Sequence, residues 1–351
     1  LGAALAAWRP DSVLLLDSEK ASPYLKSFLA ACKPNQVVAI GGDADGVADL
    51  QRRLDIKTAA PLTGTQQTLA LWKSLFRRAE DVVVCPAHPR GTLLQSACLA
   101  AALRAPLYVL HGRDSEAVRL LGKLGEWQTR RVHLIGTAQK LADKLPGIEL
   151  VKLDGESAVA AAYQKQLTRK GHIENAVFAN PEDTRAEMGG TSALAPWIAP
   201  RRNAALLLTN AEGSNVAEVM ERAERREALR HVDAVLYLAN LKAIPVWRRA
   251  NPIPGDKDQH IDMEPLTPIG TRPFTFATGR LFHEDRAVAA LMLARQQMLV
   301  ESGRPLKALV ASNSGGSLSL LETFSRNTIE ALRQTGVDTT TLIGHKVSRE
   351  E

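Results

Sequence analysis

Val82–Gly112, VVVCPAHPRGTLLQSACLAAALRAPLYVLHG, decides the fold class. An unbroken apolar run (82–85) is followed by a Pro/Gly turn, an alanine- and leucine-rich helical stretch, and a second apolar run (106–110). Continuous apolar runs of this length, bounded by turn residues, read as strands buried on both faces. A helix between two such strands makes a βαβ unit, so the two strands are expected to be parallel and the crossover right-handed.

The plan recurs on both sides. Ahead of it lie Ser12–Asp17 (SVLLLD) and Gln36–Gly42 (QVVAIGG), expected strands, with helical segments at Tyr24–Ala31 and Asp43–Leu54. Thr65–Ala79 places Leu69, Trp72, Leu75, Phe76 and Ala79 on one helical face. Beyond Gly112 the order is helix (117–124), strand (131–136), helix (157–170), strand (176–179), helix (192–199), strand (204–209), charged helix (216–229) and strand (233–239). Ile40-Gly41 and Ile135-Gly136 are 95 residues apart, as are Pro86 and Pro181; Ser96-Ala97 and Ser192-Ala193 are 96 apart. Leu107–Leu110 followed by Val132–Ile135 also echoes Val13–Leu16 followed by Val37–Ile40. Matches in this order point to duplication. The expected class is α/β, tandem Rossmann-like three-layer units with mostly parallel sheets.

From Leu241 to Arg280 the chain is proline-rich and poor in helical patterns, as a functional loop or a joint is. Helix returns at Asp285–Val300 with Val288, Leu291, Met292, Met298 and Leu299 as its expected core stripe. Lys307–Ser312 follows as a strand, Leu318–Gln334 as a helix with Leu321, Phe324, Thr328 and Leu332 inward, and Thr339–Ile343 as the last strand. The expected organisation is 1–57 a partial unit, 58–147 and 148–240 two full units, 241–302 a joint and helix, and 303–351 the start of a further α/β unit.

The 351 residues are 45% hydrophobic and 23% charged, a globular composition. Net charge is +6, carried in short pairs at Arg77-Arg78, Arg130-Arg131, Arg201-Arg202 and Arg248-Arg249. Such a surface suits an anionic polymer. Basic residues are not interleaved with aromatics, which argues against nucleic acid. Cys32, Cys85 and Cys98 form neither a disulfide framework nor a zinc pattern. No apolar run reaches the roughly 20 residues of a membrane span. The chain opens without Met and ends on a charged, helix-like SREE, and it is read as a fragment.

Several places could carry chemistry. Cys85 and His88, three apart at a strand end, fit a Cys–His nucleophile pair; they equally fit a buried thiol and a loop imidazole. Gly41, Gly42 and Gly136 follow strands and precede helices, where backbone amides hold anions or simply turn the chain. Asn313, Ser314, Gly315 and Gly316 form a similar strand-to-helix loop without the lysine of a P-loop. Asp256, Asp258, His260 and Asp262 alternate in a loop, offering hard oxygen ligands suited to calcium, or a solvated acidic loop. His345 reads as a loop histidine.

Two resemblances cover most of the chain. TLALW, VVVCPA, SACLAAALRAPLYVL and VHLIGT, with the earlier VVAIGG, resemble the type 2 cell-wall-binding repeat. That resemblance implies Rossmann-like units assembling in threes and holding an anionic cell-envelope polymer. DAVLYLANLKAIP (233–245), the acidic 258–262 segment, FATGRL (276–281), KALVAS and the helix after it are similar to the gingipain family of cysteine peptidases. In that family the catalytic His and Cys come on later strands, so no residue here takes either role. The resemblance implies the non-catalytic amino-terminal and middle portion of a secreted or envelope hydrolase, partnered by a carboxy-terminal peptidase half. Two other readings stay open. One is a stand-alone binding module for an anionic glycan or small ligand, and the other is a Rossmann-like enzyme acting on a phosphorylated substrate.

Overall fold

The computed structural model describes residues 2–9, 11–41, 44–57, 59–62, 72, 75–111, 114–209, 232–251, 255, 260–264, 277–301, 307–312 and 319–343. The chain divides into two compact units, Leu1–Ala294 and Arg295–Glu351.

The first unit holds two four-stranded parallel sheets. β3 (Asp81–Pro86) lies between β4 (Leu107–Leu110) and β5 (Arg131–Ile135), and β6 (Glu149–Leu153) flanks β5. In the second sheet β7 (Asn175–Ala179) lies between β8 (Ala204–Leu208) and β9 (Ala234–Leu238), and β12 (Ala277–Leu281) flanks β9. Numbered in chain order, both sheets run 2-1-3-4, and every pairing in them is parallel. The two sheets thus share one strand order, and the chain is an α/β protein with a Rossmann-like parallel arrangement. β6 closes the first sheet, and β12, at the end of the proline-rich stretch, closes the second. Between the sheet-forming residues lies the antiparallel ribbon of β10 (Trp247–Ala250) and β11 (His260–Met263).

The helix after β3, α4 (Arg90–Leu103), is buried from Gly91 to Ala102 apart from half-buried Leu93. An alanine-rich helix with no polar face survives only when surrounded. It is surrounded by α6 (Gly155–Thr168), α7 (Ala195–Arg201), β3 and α1 (Gly2–Trp8). The helices α1, α4 and α7 each touch the other two, and α7 follows β7 as α4 follows β3. These three helices thus meet in one core. Trp8 stacks on Phe76 with ring centroids 4.7 Å apart, and Trp72 Nε1 donates to the Leu107 carbonyl at 2.6 Å. Arg201 Nη1 donates to the carbonyls of Ala6, Arg9 and Ser12 at 2.8–3.0 Å, satisfying the end of α1.

The amino-terminal repeat has α2 (Ser22–Cys32), β1 (Val38–Ile40), α3 (Ala44–Leu54) and β2 (Ala59–Leu62), with β1 and β2 paired in parallel. The strand expected at Ser12–Asp17 is not formed. Among the described residues they join no ladder, and a strand forms only beside a partner.

α8 (Arg286–Glu301) turns Ala287, Ala289, Ala290, Leu291, Leu293 and Ala294 inward; of the expected stripe Leu291 is buried, whereas Met292 and Leu299 face out. Small alanines let the helix approach closely, and burial follows that face. In the second unit β13 (Lys307–Ser312) pairs in parallel with β14 (Asp338–Ile343), and α9 (Ser319–Gln334) packs on both. Ser325 and Ile329 face inward, whereas Phe324, expected in the core, is exposed. The stripe through Phe324 and Thr328 lies about one position round the helix from the one that meets the sheet.

Candidate functional site: the carboxyl edges of the two sheets

In open parallel sheets, ligands sit outside the carboxyl ends of the strands, at the point where strand order reverses. Here that point is the end of β3 in the first sheet and of β7 in the second. The chain's own charged groups lie beside both ends.

At the first, α4 opens after Pro89, whose extended backbone (φ −66°, ψ 152°) sets the helix entry without a side-chain cap. The Glu156 carboxylate, from the first turn of α6, lies against Gly91: a Cβ there would sit 2.1 Å from Oε2. A carboxylate beside a helix amino terminus is stabilised by its free amides and dipole. Glu156 thus packs against the first turn of α4.

At the second, Asp183 is fully buried four residues beyond β7. Its Oδ2 accepts the Ser192 N–H at 2.8 Å and its Oδ1 accepts the Ser192 hydroxyl at 2.6 Å. Arg90 Nη1 stands 3.4 Å from Oδ1, and Arg90 Nη2 donates to Ser192 Oγ at 2.9 Å. Gly189 and Gly190 take left-handed φ of 80° and 62°, which brings the loop back over Asp183; the Arg286 guanidinium lies beside Gly190. Burial raises the Asp183 pKa, opposed by its two bonds from Ser192 and by Arg90 and Arg286. The first residue of α4 in one repeat thus clamps the loop before α7 in the other.

On the outer side of the second sheet, Arg280 on β12 donates Nε to Glu264 Oε1 at 2.9 Å and pairs through Nη2 with Oε2 of the same carboxylate. Its Nη1 reaches the carbonyls of Ala239, Asn240 and Ile244 at 2.9–3.2 Å, and its guanidinium lies 5.1 Å from the Tyr237 ring centre. The arginine holds the loop after β9 in place.

At the opposite edge of the first sheet, Asp81 Oδ1 lies 2.9 Å from His133 Nε2 and 3.4 Å from Arg131 Nη1. Arg131 Nε also bonds Glu149 at 2.9 Å. Desolvation pushes the Asp81 pKa up, but His133 and Arg131 outweigh it and the net direction is down. Arg131 is therefore committed to the sheet. Arg77, Arg78 and Arg130 are the exposed cations on this side, with Arg130 only 3.9 Å from Glu80.

The residues singled out from sequence separate into three groups. Cys85 is buried under α4 beside the Ser96 hydroxyl, and burial pushes its thiol up to about 12. His88 is exposed, so the two do not form a nucleophile–base pair. Cys98 is also buried and raised well above the ordinary thiol range. Gly41 (φ 98°) and Gly136 (φ 53°) make the left-handed turns expected of them; Gly136 opens the 3-10 segment Gly136–Lys144. His260 is exposed at the start of β11, and Asp262 stands opposite Arg248 in the ribbon. Gly42, Asp256, Asp258, Asn313, Ser314, Gly315, Gly316 and His345 lie outside the described residues. So does the expected helix at 216–229. Among the described residues no three His, Cys, Asp or Glu side chains converge as metal ligands, and no helix is long and apolar enough to cross a membrane. Sequence reading missed Arg90, Glu156, Asp183, Ser192 and Arg280. The one available signal was position: Arg90 and Asp183 both fall just past a buried strand, after a proline.

No protein-family model, curated protein or solved structure matches the chain.

Proposed function

We propose that the chain is a non-catalytic scaffold and binding portion of a gingipain-like cysteine peptidase of the cell envelope or extracellular space. The observation that carries this reading is the buried Asp183–Ser192–Arg90 cluster, which fills the strand-reversal end of the second sheet with the chain's own groups, while Glu156 packs against the first turn of α4 in the first. A site filled by internal ion pairs and hydrogen bonds serves packing between repeats. Two further observations support it: the thiols of Cys85 and Cys98 are buried and held in the protonated form, and three helices share one core. A cysteine peptidase needs a thiolate beside an imidazole. The peptidase assignment itself rests on the resemblance of 233–343, and the catalytic groups would come from a carboxy-terminal half. The calcium reading of Asp256–Asp262 and the phosphate reading of the 313–316 loop stand as proposals on sequence alone.

Binding of an anionic envelope polymer is the second part of the proposal, supported by the net charge of +6 and by the exposed Arg77, Arg78 and Arg130. Chromatography on immobilised dextran sulfate tests it. Retention should fall steeply with salt and fall again in a Arg77→Glu, Arg78→Glu, Arg130→Glu variant. Retention that the triple variant leaves unchanged sinks the polymer reading.

A further inference from the structure

Contacts with β8 fix where the two packed helices α4 and α6 end. A Cβ on Gly91 would lie 3.5 Å from Leu208 Cδ1, and Gln95 Nε2 donates to the Leu206 carbonyl at 3.0 Å. α4 therefore runs antiparallel to β8, from its carboxyl end toward its amino end. α6 does the same. Glu156 in its first turn lies against Gly91, and the Tyr163 hydroxyl further along donates to the Ala204 carbonyl at 2.8 Å. Each helix is 14 residues long, so the two start together and finish together at the amino end of β8.

Cations follow both helices. Arg104 is the first residue past α4, and Arg169 and Lys170 are the first two past α6; all three are exposed. The Arg202–Asn203 turn that leads into β8 lies against the same place. Asn203 Nδ2 donates to the His172 carbonyl at 2.8 Å, and Asn175 Nδ2 donates to the Arg202 carbonyl at 3.2 Å. Three separate segments thus bring Arg104, Arg169, Lys170 and Arg202 to one edge of the first unit.

A cation at a helix carboxyl terminus offsets the dipole there, which accounts for each of these residues singly. It does not account for their crowding. Among the described residues no carboxylate pairs with Arg104 or Lys170. The Lys170 ammonium is held below the ordinary lysine range, first by partial desolvation and then by the charge of Arg104. Two like charges brought together without a counter-charge favour any anion that enters between them.

We propose that this edge is a binding site for a doubly charged oxyanion, a phosphate monoester or a sulfate group, held between Arg104 and Lys170. The arginine fork presents paired N–H donors to two oxygens, and the lysine supplies a point charge to a third. A dianion matches the two cations, whereas a single carboxylate leaves one charge unmet. Arg169 and Arg202 form the rim. The site is separate from Arg77, Arg78 and Arg130 and does not depend on the polymer reading.

Calorimetric titration of the full chain with inorganic phosphate tests the site, at constant ionic strength and at a mildly alkaline pH where the dianion predominates. Saturable one-to-one binding is expected. Arg104→Gln and Lys170→Gln, each a test by itself, should weaken it by about tenfold or more. Arg52→Gln, which removes an exposed cation from α3, should leave it unchanged. Absence of saturable binding to the native chain, or equal affinity in the native chain and both variants, overturns the proposal. Immobilised dextran sulfate then separates the two sources of the anion. Retention weakened by Arg104→Gln and Lys170→Gln assigns the site to a group on a polymer. Retention unchanged while phosphate binding is lost assigns it to a free phosphorylated ligand.

Discussion

Glu156 occupies the space that a side chain at residue 91 would need: a Cβ on Gly91 would lie 2.1 Å from Glu156 Oε2 and 3.1 Å from its Cδ. The contact joins α6 to the amino end of α4, so the repeats are locked by a carboxylate over a glycine. In an ordinary helix, Gly→Ala gains about 1 kcal/mol. Here Gly91→Ala evicts Glu156, so the helix gain is offset by the lost charge–dipole contact, about 0.3–1 kcal/mol, plus the strain of moving the side chain. In urea unfolding Gly91→Ala should be neutral or destabilising in the native background, and stabilising by about 1 kcal/mol in a Glu156→Ala background. Equal effects in both backgrounds would remove Glu156 from this role.

Asp183→Ala leaves the Ser192 N–H and hydroxyl without an acceptor and Arg90 without its carboxylate. Breaking a buried, hydrogen-bonded charge at one partner costs about 3–5 kcal/mol. The loss should appear as a lower urea midpoint, with Arg90→Met showing a smaller loss that is not additive with it.

Two aspartates pull the pH dependence of stability in opposite directions. Asp81 is depressed below the ordinary carboxylate value of 3.8, so its contribution is present above that value and lost as pH falls through its lower folded value. Asp183 is raised above 3.8, so its contribution is present below that value and lost as pH rises through the folded value. Urea midpoints across acidic pH should therefore fall less steeply toward low pH in Asp81→Asn than in the native chain. In Asp183→Asn the decline on the rising side should disappear. Identical profiles for both variants would contradict these assignments.

Arg280 binds one carboxylate through two nitrogens and three carbonyls through the third. Lysine keeps the charge but not the fork. Arg280→Lys should cost about 2–4 kcal/mol, close to Arg280→Met, because the unpaired carbonyls and Glu264 remain in both. Full stability in the lysine variant would show that charge alone suffices.

The repeat architecture was legible because it rests on long apolar runs. Val82–Cys85 and Ala204–Leu207 are wholly buried, and burial on both faces is the one environment that an unbroken apolar run identifies. Val13–Leu16 has the same run, yet a strand exists only with a partner, and among the described residues this run joins no ladder. Phe324 and Met292 misled for a related reason: each lies on a plausible apolar stripe, but the inward face was chosen by small residues and by the neighbouring sheet. Asp183 was legible only by its position just past a buried strand and Glu156 not at all, since Arg90 and Gly91 are brought to them by tertiary packing and not by spacing along the chain.

The most direct test of the scaffold reading is the intact mass of the native chain after incubation with a peptidyl chloromethyl ketone, a reagent that alkylates the activated thiol of a cysteine peptidase. With Cys85 and Cys98 buried and their thiols pushed up, the predicted mass is that of the unmodified protein, and the same preparation should leave a fluorogenic casein substrate uncut. A single adduct on Cys85 or Cys98, accompanied by loss of casein hydrolysis, would show a working nucleophile in this chain and contradict the account.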